Sequence, residues 1–304
     1  MKVLGFILMV FLVGCAKDAP GDVMLSSDVL NIPGTHFSAS NNTFEKTYTK
    51  FTDSLKQQDS LQIIAEVDHA ANARAVGRVL NPNRVIFFSD ASLAAEILQK
   101  NQLSALDLPV KVLFFQNPNG VTFALYNSVN YMDSRYGLEG IPALTSLDSE
   151  IQKLVKSATS AIIKQSVNNN AELEEGIITK ESAKTFGETY TDLKNAISSY
   201  QDFDLIAEVN HTAKAAEQGL TLRPTITFII SNPTLGTALI QNSQTAGLDL
   251  PEKIVLWQDK DSIVKVSYND PAYLKTRHSI TNSSEEITQF STLLDSITSK
   301  AVSQ

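Results

Sequence analysis

Apolar residues recur along this chain in two periods, and the alternation of those periods predicts its elements. Phe44, Tyr48, Phe51 and Leu55 stand at i, i+4, i+7 and i+11, one face of a helix, and Phe186, Tyr190, Leu193 and Ile197 repeat the pattern. Asn41, Asn42 and Thr43 precede the first of these as capping side chains. Residues 61–68, rich in Ile and Val and imperfectly alternating, read as a strand, as do 203–210. Small residues over 70–77 allow one or two helical turns ending at Gly77, and the later counterpart ends at Gly219. The β-branched and aromatic runs 84–89 and 226–231 predict buried strands, and 92–101 and 234–243 predict helices through Leu93/Ile97 and Leu235/Leu239. Strands over 110–116 and 121–126 meet at Asn117-Pro118-Asn119-Gly120, a tight-turn sequence. Amphipathic helices close each half, with stripes Ile151, Leu154, Ala158, Ile162 and Ile287, Phe290, Leu294, Ile297, and 29–40 holds a short extended segment.

The same list read twice is a duplication. Ala65-Glu66-Val67-Asp68-His69 returns as Ala207-Glu208-Val209-Asn210-His211, and at that offset of 142 residues 44–136 align without a gap on 186–278 with 28 of 93 pairs identical. The chain therefore divides into a first module over 29–167 and a second over 168–304, with Asn168-Asn169-Asn170 as linker. Helices and strands alternate, yet the last two strands of each copy are joined tightly. The fold class is α+β: two tandem copies of a small module, each a mostly antiparallel sheet with helices packed on one face. Duplication lets one chain supply both halves of a two-fold interface, so the two modules are expected to pair with each other.

The beginning of the chain changes the picture of where this happens. Met1-Lys2, an apolar run over 3–13 broken only by Gly5, and Leu12-Val13-Gly14-Cys15 resemble a bacterial lipoprotein signal, cut ahead of a cysteine that is then acylated. About 20 apolar residues are needed to span a membrane, and this run is much shorter. A signal peptide over 1–14, a lipidated tether over 15–28 rich in Pro, Gly, Ser and Asp, and a bacterial cell-envelope location follow, with the modules in the periplasm or outside the cell. The partner is then the membrane, through a lipid anchor at Cys15. Because Cys15 is the only cysteine of the chain, lipidation also excludes thiol catalysis and Cys-ligated metals. A net charge of -8 without a basic cluster excludes nucleic acid as a partner.

Glu66-Val67-Asp68-His69 after an Ile-rich strand, Ala71 and Ala73, the Leu-x-Pro at 80–82, Leu106-Asp107-Leu108-Pro109 and Tyr126-Asn127 together resemble the bacterial and archaeal family called domain of unknown function 302. The resemblance occurs twice and covers nearly all of the chain after the tether. It implies the module fold and no reaction. The family's Gly-Asn-Pro after the middle strand is replaced here by Ser89-Asp90-Ala91 and Ser231-Asn232-Pro233.

The candidate ligand-binding residues are His69, His211, Glu66, Glu208, Tyr126 and Tyr268. Strand alternation puts position 69 on the side of 61, 63, 65 and 67, the buried face, with Glu66 and Asp68 opposite. That favours a structural histidine held by a backbone or Tyr partner, and a glutamate answered by Arg135/Arg277 or Lys111/Lys253. Asp107 is placed to cap open backbone N–H groups, and the two tyrosines to end a strand at a pocket mouth. No hydrolase, metalloprotease, phosphate-loop or EF-hand motif is present, so no cofactor and no metal site is expected. The reading is a non-catalytic binding or scaffolding lipoprotein with a protein or small-molecule ligand; the alternative is a metal-dependent or acid-base enzyme using the Glu/His pairs.

Overall fold

The computed structural model describes residues 30–166 and 171–303. The signal peptide, the Cys15 anchor with its tether, and the Asn168–Asn170 linker lie outside them. The first module runs β1 (Thr35–Ala39), α1 (Phe44–Lys56), β2 (Leu61–Asp68), α2 (His69–Ala75), β3 (Asn83–Asp90), α3 (Ala91–Lys100), a 3-10 turn (Gln102–Leu106), β4 (Val110–Gln116), β5 (Thr122–Asn127), α4 (Val129–Tyr136), α5 (Pro142–Thr159) and β6 (Lys164–Gln165). The second repeats it as β7 (Ile177–Ser182), α6 (Phe186–Ser198), β8 (Asp204–Asn210), α7 (His211–Glu217), β9 (Thr225–Ser231), α8 (Pro233–Asn242), a 3-10 turn (Gln244–Leu248), β10 (Glu252–Gln258), β11 (Val264–Asn269), α9 (Pro271–Arg277) and α10 (Ser284–Val302). Among the described residues no helix is long and apolar enough to cross a membrane.

Two antiparallel sheets result, ordered β2-β3-β4-β5-β1-β6 and β8-β9-β10-β11-β7. In the first module Phe51 and Leu55 of α1, Ile97 of α3 and Ile151 and Leu154 of α5 pack on Ile86, Phe88 and Phe114, forming the helix-side core. The opposite sheet face, with Val67, Val85, Phe87, Leu113 and Leu125, is covered by Ile229 and Leu248 from the second half of the chain. Each 3-10 turn lies on the other module's sheet, Gln102–Leu106 on β9 and β10 and Gln244–Leu248 on β3 and β4.

Helix starts explain several differences between the copies. Asp68 Oδ1 accepts from the Ala71 N–H at 2.8 Å, and Asn210 Oδ1 accepts from Ala213 at 3.0 Å. Either residue caps, so the Asp-to-Asn change between copies alters charge and keeps the helix start. Asp90 and Asn232 likewise cap α3 and α8, which is what the Ser-Asp-Ala and Ser-Asn-Pro turns do here.

Four expectations are corrected. Thr43 makes no capping bond, and Asn41 and Asn42 instead donate to the Ser160 and Ala158 carbonyls at 2.7 and 3.0 Å, closing the far end of α5. Ile162 does not belong to the closing stripe: α5 ends at Thr159, and Ile162 is 72% exposed. The side reading for 61–69 fails because β2 carries a bulge between Ile63 and Ala65, with its copy between Leu205 and Ala207. One extra residue reverses every later side chain: Leu61 and Ile63 face the helix side, whereas Ala65 and Val67 join the opposite face. Asp107 caps no backbone group and takes side-chain donors instead, as described next.

Candidate functional site

The densest constellation of polar groups lies buried where the modules meet, and it is built from pairs 142 residues apart. Tyr131 and Tyr273, on α4 and α9, share a hydrogen bond of 2.8 Å between their hydroxyls. Each ring lies against a glycine of positive φ: a Cβ on Gly34 would stand 2.1 Å from the Tyr131 ring, and one on Gly176 2.2 Å from that of Tyr273. Only glycine allows both that φ and that approach.

Around the tyrosines, each arginine crosses to the other module. Arg135 donates to Asn269 Oδ1 at 2.9 Å, and Arg277 donates to Asn127 Oδ1 at 2.7 Å and to the Pro33 carbonyl at 3.0 Å. Each also binds the aspartate of its own Leu-Asp-Leu-Pro run. Asp107 accepts from Asn127 at 2.7 Å, Tyr136 at 2.6 Å and Arg135 at 3.3 Å. Asp249 accepts from Arg277 at 2.7 Å, from Lys111 of the first module at 3.0 Å and contacts His278 Nε2 at 2.8 Å. Burial alone would raise both carboxyls, but Lys111 and Arg135 hold Asp107 below its usual range, and Arg277 and Lys111 hold Asp249 well below. Lys253 donates to the Pro109 carbonyl at 2.7 Å, and burial, then Lys111, pushes its ammonium well down.

His69 and His211 serve the same seam. His69 Nε2 lies 3.3 Å from the Gly247 carbonyl of the other module's 3-10 turn. At the equivalent of Val85 the second copy has Thr227, and His211 Nε2 meets its hydroxyl at 3.0 Å, which in turn reaches the Ala105 carbonyl at 3.5 Å. Each ring thus turns Nε2 toward the carbonyl of position 105 or 247, one directly and one by way of a hydroxyl, and the Leu250 carbonyl also acts on His69. Burial pushes the imidazoles down, to about 4 for His69 and about 3 for His211.

The glutamates are elsewhere. The bulge turns Glu66 to the helix side, where it accepts from the Tyr48 hydroxyl; Glu208 accepts from Tyr190 at 2.8 Å and pairs with Lys194 at 3.1 Å. The expected answers, Arg135/Arg277 and Lys111/Lys253, are all committed to the seam. Tyr126 and Tyr268 are buried in the two helix-side cores rather than at a pocket mouth, and burial raises both hydroxyls, Tyr268 to about 12. The six candidates thus do not converge. Among the described residues no three His, Cys, Asp or Glu side chains are placed to hold a metal ion. The reading of single residues missed Asn127, Tyr131, Asn269 and Tyr273, although their identity across the 142 offset was an available signal.

Comparison with known proteins agrees with this duplicated architecture. The profile described as Domain of unknown function DUF302 matches residues 36–159 and 178–297. The chain is 38% identical over 113 residues to Fluoride-specific ion channel FluC 1 of Brucella suis biovar 1 (strain 1330), covering 37% of this chain and 44% of that protein. FluC 1 of Brucella abortus biovar 1 (strain 9-941) matches at 38% over 113 residues, 42% of its length. This chain thus spans less than half of these curated relatives. Among solved structures, the crystal structure of an uncharacterized conserved protein DUF302 from Bacillus stearothermophilus is 19% identical with a TM-score of 0.38, covering 42% of this chain and 98% of that one.

Proposed function

This chain belongs to the DUF302 family, whose domain it carries twice, and from that premise we propose that it is a non-catalytic binding or scaffolding protein of the bacterial cell envelope, its modules working as one intramolecular pair. The observation that carries the reading is the separation of Glu66 from His69. A general acid-base pair must lie within hydrogen-bond reach of one substrate atom, and here Glu66 is exposed on the helix side of the sheet, accepting from the Tyr48 hydroxyl, while His69 is buried on the other side against the Gly247 carbonyl. At the seam Lys111, Arg135 and Arg277 are likewise engaged with Asp107 and Asp249. The channel activity named for the Brucella proteins is not carried over, because the match covers less than half of each.

The test opposes a structural histidine to a metal ligand. His69→Ala and His211→Ala should each lower unfolding free energy by about 2 kcal/mol, from a cavity and an orphaned acceptor, and added zinc should leave the parent's melting temperature unchanged. A zinc-dependent rise lost in either variant would overturn the structural reading and favour the metal-site alternative. The pH dependence has a fixed sign. Both imidazoles are depressed in the folded chain, so below about 6.5 the unfolded chain binds protons that the native one refuses, and stability falls from there to about 4 for the His69 contribution and about 3 for that of His211. Each variant should flatten that acid limb.

The anchor is proposed from Leu12-Val13-Gly14-Cys15. Replacing Cys15 with Ser should abolish incorporation of labelled palmitate and release the chain from membranes; palmitate retained by the variant would refute the lipobox.

A further inference from the structure

Glu252 is used by nothing described so far. It opens β10 opposite Ile230 on the helix side of the second sheet, is fully buried, and among the described residues neither carboxylate oxygen has a side-chain partner, the Lys253 backbone N–H being the one hydrogen-bonding group that acts on it. Its counterpart, Val110, is an ordinary core residue, so the carboxyl belongs to one copy alone. Glu252 lines a recess together with Ser231, Asn232 and Thr237, and the first module closes it with His69 and Asn72. The space for the centre of a water-sized guest is about 10 Å³, room for about one such particle.

An ionised carboxyl taken out of water without a partner is strongly disfavoured, and either a proton on it or a cation beside it removes the penalty. We propose that this recess is a binding site for one monovalent cation of water's size, potassium or ammonium, held by the Glu252 carboxylate together with neutral oxygen atoms of the residues that line the recess with it. The ligand class follows from the donors. One carboxylate and neutral oxygens supply a single negative charge and hard ligands, whereas a soft or divalent metal would draw on a cluster of acidic or imidazole groups that the described residues do not form.

Without the cation, burial and then the Asp249 charge push the Glu252 carboxyl well up, toward its protonated form. Binding is therefore an exchange: the cation enters, the carboxyl proton leaves to solvent, and the charge of the recess is unchanged. The charged and titratable groups facing Glu252 are Asp249 from the preceding turn, Lys111 of β4, Arg135 of α4 and His69 of α2. Lys253 is engaged at the Pro109 carbonyl. His69, depressed to about 4, stays neutral at pH 6 and above. Over that range the apparent affinity should rise by about tenfold per pH unit for as long as the free carboxyl stays protonated. The site needs the paired modules and does not depend on the scaffolding reading.

The experiment compares melting of the full chain in KCl, NH4Cl and choline chloride at one ionic strength and at pH 6, 7 and 8. Melting should be higher in KCl or NH4Cl than in choline, the difference should grow with pH, and Glu252→Gln and Glu252→Val should melt alike in all three. Adding KCl to the weakly buffered parent should also release protons, approaching one per chain, while choline chloride releases none; this measurement needs no variant and decides alone if both variants fold poorly. Equal melting of the parent in the three salts, absent proton release, or a cation effect that survives in both variants overturns the proposal.

Discussion

Asp249→Ala should lower the unfolding free energy by about 3–5 kcal/mol, the cost of removing one partner from a buried ionic network. Three donors converge on this carboxylate, Arg277 at 2.7 Å, Lys111 at 3.0 Å and His278 Nε2 at 2.8 Å, and all of them are buried. Removing the acceptor leaves two cations in a site where water cannot replace it, whereas Asp249→Asn keeps one acceptor oxygen and should cost less. The contrasting pair is Arg84 with Glu45, whose carboxylate side is 69% exposed; Glu45→Ala should change stability by about 1 kcal/mol or less, because exposed pairs contribute little. Urea unfolding with an unchanged slope measures both. A cost for Asp249→Ala no larger than that for Glu45→Ala would mean that the seam does not hold the fold together.

Residues 170–304 alone should not behave as an independent monomer. Without the first module, Ile229 and Leu248 lose the apolar face that covers them, Lys253 loses the Pro109 carbonyl, and Arg277 loses both Asn127 and Pro33. Those losses fall on groups that are buried in the full chain, so each becomes an exposed apolar patch or a cation without its partner. Two outcomes are compatible with this: a homodimer in which Tyr273 meets its own copy as it meets Tyr131 here, or loss of the cooperative transition. A deficit of 3 kcal/mol or more corresponds to a fall in melting temperature of roughly 10 °C or more for a module of this size. Sedimentation and thermal melts measure it, and a monomer melting with the full chain would refute the proposed obligate pairing.

Most of the secondary structure was legible because helix and strand periods are local properties. The stripe Phe44, Tyr48, Phe51, Leu55 lies within one helix, and the apolar run around Phe87 lies within one strand, so side-chain spacing suffices. The bulge in β2 was not legible. Ile64 is an apolar residue among apolar residues, and only the register against Phe88 and Phe87 shows that it is the extra one. That single insertion reversed the faces of Glu66 and Val67 relative to simple alternation.

The seam follows the same division. The sequence by itself determined that there are two copies, their offset and the kinds of residue shared by both, including Asp107/Asp249, Asn127/Asn269, Tyr131/Tyr273 and Arg135/Arg277. Which of these meet was decided only by the tertiary structure. Arg135 reaches Asn269 and Lys111 reaches Asp249 across more than 130 residues of chain, and burial left each cation no solvent to turn to, so its partner had to be whatever polar group the opposing module brought within reach. The same reason separates Glu252 from Val110: hydrophobic patterning marks Val110 as apolar and Glu252 as polar, and only the packed interior shows that the carboxyl is buried with no side-chain partner.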